Sequence, residues 1–157
     1  MFIGTHKYHN YTKEVEYKQA SAMRYMMDVN CLDKSVMQDV EFIHFNIKGQ
    51  SFLYNQIRNM VGMMVDIMRN GYDAGVLLNS FKANKYSMSL SPGEGLILQR
   101  VSYDKYNEIK KQKKMEVRIM DIHKDELEAF KKELIAEIAN SEIINHSFSD
   151  WAKEIQS

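Results

Sequence analysis

Apolar and polar residues alternate along two stretches of the chain. Every second residue is apolar from Met23 to Cys31, and the same alternation runs from Glu41 to Lys48. A period of two is typical of a strand that buries one face. Two such strands joined by a polar loop predict an antiparallel pair. Cys31 is expected in the core, since it lies on the apolar face of the first strand.

After the second strand, the apolar residues recur with the period of a helix. Ser51 is predicted to cap a long helix that runs to about Asn70 and is closed by Gly71. Its apolar residues recur at three- and four-residue spacing, which predicts one stripe packed on the sheet. These residues are Leu53, Ile57, Met60, Val61, Met64, Val65 and Met68. The methionines are interpreted as core filling and not as a metal site.

The remaining pattern predicts three further helical segments and one more strand. Asp73 is expected to cap a short helix to about Phe81, and residues 96–103 are a candidate third strand. Residues 124–139 form an amphipathic pattern, and 149–155 can add a last helical turn. A sheet followed by helices that cover it predicts an α+β fold, an antiparallel sheet with helices packed on it.

Composition narrows the class of protein. The chain has 157 residues, 45% of them apolar, with one cysteine. This suits a globular protein without an internal disulfide. The longest apolar run, 60–68, is broken by Asp66 and is too short to cross a bilayer. The N-terminus lacks the pattern of a signal peptide. We expect an intracellular protein, with nucleus, cytosol and mitochondrion left open.

The charge is zero overall but unevenly distributed. Residues 1–118 hold 17 basic and 12 acidic residues, whereas 119–157 hold 4 and 9. The basic excess clusters late in the first part, at Lys105, Lys110, Lys111, Lys113, Lys114 and Arg118. Such a run usually keeps a linker in water, so the favoured interpretation is a solvated connector and the alternative is an RNA contact.

Common catalytic motifs are missing from the sequence. No serine lies in a Gly-x-Ser-x-Gly turn, and no glycine-rich phosphate loop is present. His6, His9, His44 and Cys31 could gather a metal, but without a second close ligand pair this is a weak signal. We therefore predict no metal site.

Two segments carry unusual chemistry. Residues 2–12 interleave aromatic rings with amides, hydroxyls and imidazoles, a mixture that can stack on unpaired bases. The alternative is a segment packed on the sheet edge. In residues 49–62, Arg58 lies within an apolar helix, where an arginine is usually a surface cation. Gly62 in mid-helix indicates close packing against another segment, because glycine weakens a helix.

Together with residues 92–98, these two segments resemble the C-terminal part of the TruA-like tRNA pseudouridine synthases, closest to the eukaryotic branch. The resemblance covers about residues 2–107, and residues 129–151 resemble the C-terminal extension of that branch more loosely. It implies two regions. Residues 1–107 are the C-terminal subdomain of the catalytic unit, and 108–157 are a Lys-rich connector with a helical extension.

The resemblance implies an isomerase that detaches uracil from ribose in tRNA and rejoins it through carbon, without cofactor. The catalytic aspartate of the family lies in a Gly-Arg-Thr-Asp segment of its N-terminal half, and this chain has no such segment. Arg58 matches the family arginine that pairs with that aspartate. The implied partners are tRNA and the missing N-terminal half, with no membrane. The candidate RNA-binding residues are His6, Tyr8, His9, Asn10, Tyr11, Gln56 and Leu96.

Two other functions remain open. The chain could be an RNA-binding or scaffolding module without catalysis. It could also be a metal-dependent hydrolase that uses His6, His9 and His44, which would require stoichiometric metal. As an isolated fragment without the aspartate segment, it is predicted to be inactive as a synthase.

Overall fold

The computed structural model describes residues 1–110 and 124–155. Within these ranges, three strands form an antiparallel sheet in the order β1-β2-β3: β1 is Gly4–Lys7, β2 is Met23–Met37 and β3 is Val40–Gly49. The helices are α1 (Gln56–Asn70), α2 (Gly75–Asn79), α3 (Asp104–Lys110), α4 (Lys124–Asn145) and α5 (Ser147–Glu154). The predicted α+β class is confirmed.

Strands β2 and β3 form one long hairpin, as the two alternating stretches predicted. Both strands extend further than their apolar alternation, and they meet at the two-residue turn Gln38–Asp39. Both turn residues have positive φ, 51° and 63°. This left-handed pair matches the twist of the flanking strands, so a tight turn joins them directly.

The predicted single apolar face of β2 is wrong, because the strand contains a bulge. Met26 pairs with Gly49 and Asp28 with Lys48, so β2 has one extra residue at Met27. Paired residues share a face. The extra residue therefore places Met26 on the core face but leaves Tyr25 on the opposite face, 44% exposed.

Cys31 corrects a second prediction about this strand. Cys31 pairs with Phe45 on the sheet face that carries the core. Both residues are nevertheless exposed. The expectation of a buried Cys31 is therefore wrong.

Helix α1 packs on the core face of the sheet. The core consists of Phe2, Tyr8, Tyr11, Met26, Leu53, Met60, Met63 and Leu77. Met64 and Ile67 pack against it, whereas Met68 is 69% exposed. The predicted stripe therefore holds for the middle of the helix and fails at its C-terminal end.

The ends of α1 show one error and one confirmed prediction. The helix begins at Gln56 and not after Ser51, because the chain first makes a turn that buries Leu53 and puts Asn55 in a left-handed conformation, φ 58°. Gly71 closes the helix at φ 64°, and its N–H bonds to the carbonyl of Ile67. In the next turn, the Asp73 carboxylate accepts the N–H of Gly75 at 2.7 Å, as a cap of α2.

The third strand is not where the sequence predicted it. Residues 96–103 form no strand and are exposed throughout. Instead the third strand is β1, which pairs with β2 from Gly4↔Met26 to Lys7↔Met23. Its residues Thr5, His6 and Lys7 lack apolar alternation, so the pattern gave no signal for it. The other interpretation of residues 2–12, a segment packed on the sheet edge, describes this strand.

The two C-terminal helices pack on each other, and α4 also contacts β2. Helix α4 continues beyond the predicted Ala139, and α5 is tied to α1 by Arg69, whose Nη1 donates to the carbonyl of Ala152 at 2.6 Å. Glu142 on α4 accepts the backbone N–H groups of Phe148 and Ser149 at 2.8 and 2.9 Å. Most of the predicted Lys-rich connector, 111–118, lies outside the described residues.

Candidate active site around Arg58

Arg58 lies in the first turn of α1 and is held in one orientation. Its Nε donates to the carbonyl of Ser91 at 2.7 Å, and its Nη1 lies 3.5 Å from Oδ1 of Asn55. Ser91 is 4% exposed, and its hydroxyl donates back to the carbonyl of Arg58 at 3.0 Å. The guanidinium plane is therefore fixed by a neighbouring loop and not left free on the surface.

The guanidinium has no anionic partner in the part of the chain that the structure describes. No carboxylate of residues 1–110 and 124–155 forms an ion pair with Arg58. Its Nη2 also finds no acceptor among these residues. A half-buried, oriented guanidinium with free donors suits a carboxylate or phosphate, because its planar fork can bind two oxygens at once.

The loop 89–96 forms the wall beside Arg58. A side chain at Gly93 would begin 3.5 Å from the Cζ atom of Arg58, so the loop backbone lies against the guanidinium. The loop then turns, with the N–H of Leu96 bonded to the carbonyl of Gly93 at 3.0 Å. The side chain of Leu96 is 49% exposed, which leaves it available for contact with a planar ring.

The aromatic residues of the N-terminal segment point mainly inward. Tyr8 and Tyr11 are fully buried, and their hydroxyls bond to the carbonyl of Phe2 and to Oγ of Ser80 at 2.9 and 2.6 Å. Burial raises the pKa of both phenols well above the usual value. Both residues therefore help to form the core and offer little surface to a nucleic acid.

Asn10 is also committed to the fold. Its Nδ2 donates to the carbonyls of Ser80 and Asn84 at 2.7 and 2.8 Å, and its Oδ1 accepts the N–H of Tyr86 at 3.1 Å. These three bonds fasten residues 80–86 to the N-terminal segment. Asn59 on α1 completes the connection by donating to the carbonyl of Tyr11 at 2.9 Å.

The two histidines of this segment differ in their surroundings. His6 is partly exposed and stacks on Phe81, with ring centroids 4.3 Å apart. His9 is buried beside Tyr17, and neither of its ring nitrogens has a hydrogen-bond partner among the described residues. Of the two, only His6 presents an edge to solvent at the rim of the aromatic cluster.

Gln56 stabilises the start of α1. Its side chain is fully buried, and its Oε1 accepts the N–H of Leu53 at 2.9 Å. Its Nε2 lies 3.9 Å from the sulfur atoms of Met26 and Met60. These contacts tie the start of α1 to the preceding turn and to the core. Because the side chain is fully buried, Gln56 has no surface on which RNA could rest.

The candidate metal ligands are dispersed. His6 stacks on Phe81, His44 bonds to Oγ of Ser35 at 2.7 Å, and Cys31 is exposed on the hairpin. Among the described residues, no three histidine, cysteine or acidic side chains come together in a way that could hold a metal ion. In the same ranges, no helix is long and apolar enough to cross a membrane.

The structure thus links helix α1, which carries Arg58, to the segment 2–12 through Asn59. Sequence reasoning missed Asn55 and Ser91, which hold the guanidinium. Neither residue type carries a signal of that role, because both act through the folded proximity of distant segments.

Comparison with known proteins finds one matching family and several relatives. Residues 1–104 match the family described as tRNA pseudouridine synthase. The "Pseudouridylate synthase 1 homolog" of Mus musculus is 39% identical over 68% of this chain and 25% of its own length. The "tRNA pseudouridine synthase 1" of Saccharomyces cerevisiae is 34% identical over 68% of this chain and 20% of its own length. That of Candida glabrata is 30% identical over 99% of this chain and 29% of its own length. The chain spans about a quarter of the length of these relatives.

Proposed function

This chain belongs to the TruA-like tRNA pseudouridine synthase family, and from that premise we propose that it provides the arginine-bearing part of an active site that converts uridine to pseudouridine in tRNA. The observation that carries the proposal is the state of Arg58. Its guanidinium is oriented by Ser91 and Asn55, is half-buried, and lacks an anion among the described residues. The missing anion is the catalytic aspartate, supplied by a segment that this chain does not contain.

The reaction breaks the bond between N1 of uracil and C1′ of ribose and forms a bond between C5 and C1′. N1 gains a proton and C5 loses one, so no electrons are gained or lost and no cofactor is needed. Arg58 keeps the aspartate ionised and points it at the sugar, because an opposite charge within a few ångströms favours the carboxylate form. The target base must first leave the stack, since its glycosidic carbon is otherwise shielded.

The residues around Arg58 take different parts in this proposal. Leu96, exposed at the end of the loop beside the guanidinium, packs on the uracil ring. His6, at the rim of the aromatic cluster, contacts tRNA. The buried Tyr8 and Tyr11, together with Asn10 and its hydrogen bonds to residues 80–86, hold the N-terminal segment in place without touching RNA. Residues 1–107 form the catalytic subdomain, and 108–157 form the connector and the C-terminal extension.

The proposal is tested by reconstitution. The chain is joined to the aspartate-bearing half of a relative such as the mouse protein, in place of that protein's matched region, to give a reconstituted enzyme. Turnover is followed by release of tritium from C5 of labelled uridine in tRNA. We expect turnover by the reconstituted enzyme and none by the 157-residue chain. A reconstituted enzyme that folds, binds tRNA and releases no tritium would contradict the proposal.

A second function is favoured by one observation, the absence of the Gly-Arg-Thr-Asp segment from the chain. On its own, the chain would be an RNA-binding module without catalysis. Measurement of tRNA affinity for the 157-residue chain separates the two. Tight binding by the chain alone, together with an inactive reconstituted enzyme, would support the binding module.

A further inference from the structure

Gly62 lies one helical turn after Arg58, on the same side of α1. A Cβ atom at this position would lie 1.8 Å from the carbonyl oxygen of Ser89 and 2.9 Å from its carbonyl carbon. Such distances are far below van der Waals contact, and the obstacle is backbone, which cannot rotate away. The segment 89–91 therefore crosses α1 directly over Gly62, at a distance that only glycine permits.

The same crossing segment holds the guanidinium. Two residues after Ser89, the carbonyl of Ser91 accepts the Nε proton of Arg58 at 2.7 Å, and the Ser91 hydroxyl returns a bond to the Arg58 carbonyl. Leu90 is the single residue between the two contacts. A shift of the Ser89 backbone is therefore transmitted to the acceptor that orients Arg58, because one residue gives the chain little room to absorb it.

From this geometry we infer that Gly62 is a positioning residue: it sets the height of the 89–91 segment above α1 and so the orientation of the Arg58 guanidinium. The inference rests on the proposed function for its catalytic consequence, but not for its structural part. A glycine in a helix interior is otherwise unfavourable. The presence of a glycine at position 62 is thus explained by the 89–91 segment that packs on it, and not by the needs of the helix.

The test substitutes Gly62→Ala. Alanine is the better helix former, so without the close contact to Ser89 the substitution would leave the protein at least as stable as before. Under our inference, the added methyl lifts the segment and frees the Nε proton of Arg58. In the 157-residue chain, hydrogen exchange of that proton, followed by NMR and assigned with the Arg58→Lys variant, should then accelerate by at least about tenfold.

The matched control is Gly75→Ala in α2. There the new Cβ would meet a side-chain oxygen of Asp73 at 2.6 Å, and this carboxylate can rotate away. Exchange of the Arg58 Nε proton should stay unchanged in this variant. If Gly62→Ala does not fold, Leu90→Gly provides the second test, because it loosens the crossing segment without adding an atom. It should also accelerate the exchange.

In the reconstituted enzyme, Gly62→Ala should lower kcat by about a hundredfold, since small displacements of a catalytic group have such effects, and leave KM for tRNA within about twofold. Unchanged Nε exchange in both variants would overturn the inference. Faster exchange with unchanged kcat would support the positioning of Arg58 and contradict the catalytic role of Arg58 instead. The two failures are therefore distinguishable.

Discussion

Arg58 and Ser91 hold each other through two hydrogen bonds that run in opposite directions. The arginine donates from Nε to the Ser91 carbonyl at 2.7 Å, and the serine hydroxyl donates to the Arg58 carbonyl at 3.0 Å. A residue of the helix and a residue of the loop are thus fixed to each other at both side chain and backbone. This arrangement orients the guanidinium before any substrate or partner arrives, which is how charged catalytic groups avoid reorganisation during a reaction.

The first prediction concerns Arg58 itself. In the reconstituted enzyme, Arg58→Ala should reduce turnover by at least about a hundredfold while the fold is kept, because removal of one member of a buried charge pair typically costs about 3–5 kcal/mol. Tritium release from tRNA measures the loss. The matched control is Arg69→Ala at the other end of α1. Arg69 bonds to the carbonyl of Ala152 and takes no part in the site around Arg58. An Arg58→Ala enzyme with the turnover of the parent would show that Arg58 is only a surface cation.

The second prediction separates scaffold from RNA contact in the N-terminal segment. Asn10→Ala removes three hydrogen bonds to residues 80–86 and should lower the free energy of unfolding by about 1–3 kcal/mol. Urea unfolding of the chain measures this change. At a temperature where the variant is folded, its affinity for tRNA should match that of the parent. His6→Ala, by contrast, should weaken tRNA binding and leave stability nearly unchanged. The reverse pattern would return Asn10 to the RNA-binding surface.

A third prediction follows from Glu142. Burial raises the pKa of this carboxyl, but the bonds from Ser149 and from the backbone of Phe148 and Ser149 outweigh it, and the pKa lies below the usual value. A lowered pKa in the folded state contributes stability above the ordinary value of 4.5, and this contribution is lost as the pH falls through the folded value. Helix α5 should therefore detach from α4 in acid below pH 4.5.

Trp151 lies in α5 and is the single tryptophan of the chain, so its fluorescence reports this step. Glu142→Gln should remove most of the acid transition, because glutamine does not titrate. Asp150→Asn is the control, since Asp150 also has a lowered pKa through its bond to Lys153 but does not join the two helices. If the Asp150→Asn variant loses the transition and Glu142→Gln keeps it, the assignment to Glu142 is wrong.

A fourth prediction addresses the connector, most of which lies outside the described residues. Lys110, Lys111, Lys113 and Lys114 are replaced together by glutamine in the reconstituted enzyme. We expect unchanged tRNA affinity and an unchanged slope of log affinity against log salt, as for a solvated run of charge. If instead the slope flattens by about one unit for each lost contact, the connector binds phosphates and the favoured interpretation is wrong.

The sequence was sufficient for the features that depend on local pattern. The hairpin of β2 and β3, the middle of α1 and its closing Gly71 follow from periodicity and from the need for a left-handed residue. The features that depend on distant segments were not accessible in this way. Strand β1 forms because it pairs with β2, and the carbonyl of Ser91 reaches Arg58 across 33 positions of the chain. Nothing in the local composition encodes either relationship.

The difference between local pattern and contacts of distant segments also explains which site residues could be predicted. Tyr8, Tyr11 and Gln56 have the chemistry of RNA contacts, but their burial assigns that chemistry to the interior, where hydroxyl and amide groups must find partners. Gly62 did carry a usable signal, since a glycine in mid-helix requires an explanation. The pattern of residues 96–103 predicted a strand. Within the described residues, this segment pairs with no other strand, and Leu98 is 80% exposed.

The bulge at Met27 also has a consequence for how the chain tolerates changes in length. On either side of the bulge, opposite parities of β2 face the core: Met26 before it and Val29 after it, three positions apart. Deletion of Met27 alone would convert the bulge into a regular ladder, in which Met26 still pairs with Gly49 and Asp28 with Lys48, so both halves of the strand would keep their faces. In a regular strand, by contrast, the loss of one residue moves every following side chain to the other face. The bulge therefore makes Met27 the position at which β2 should tolerate the loss of a residue.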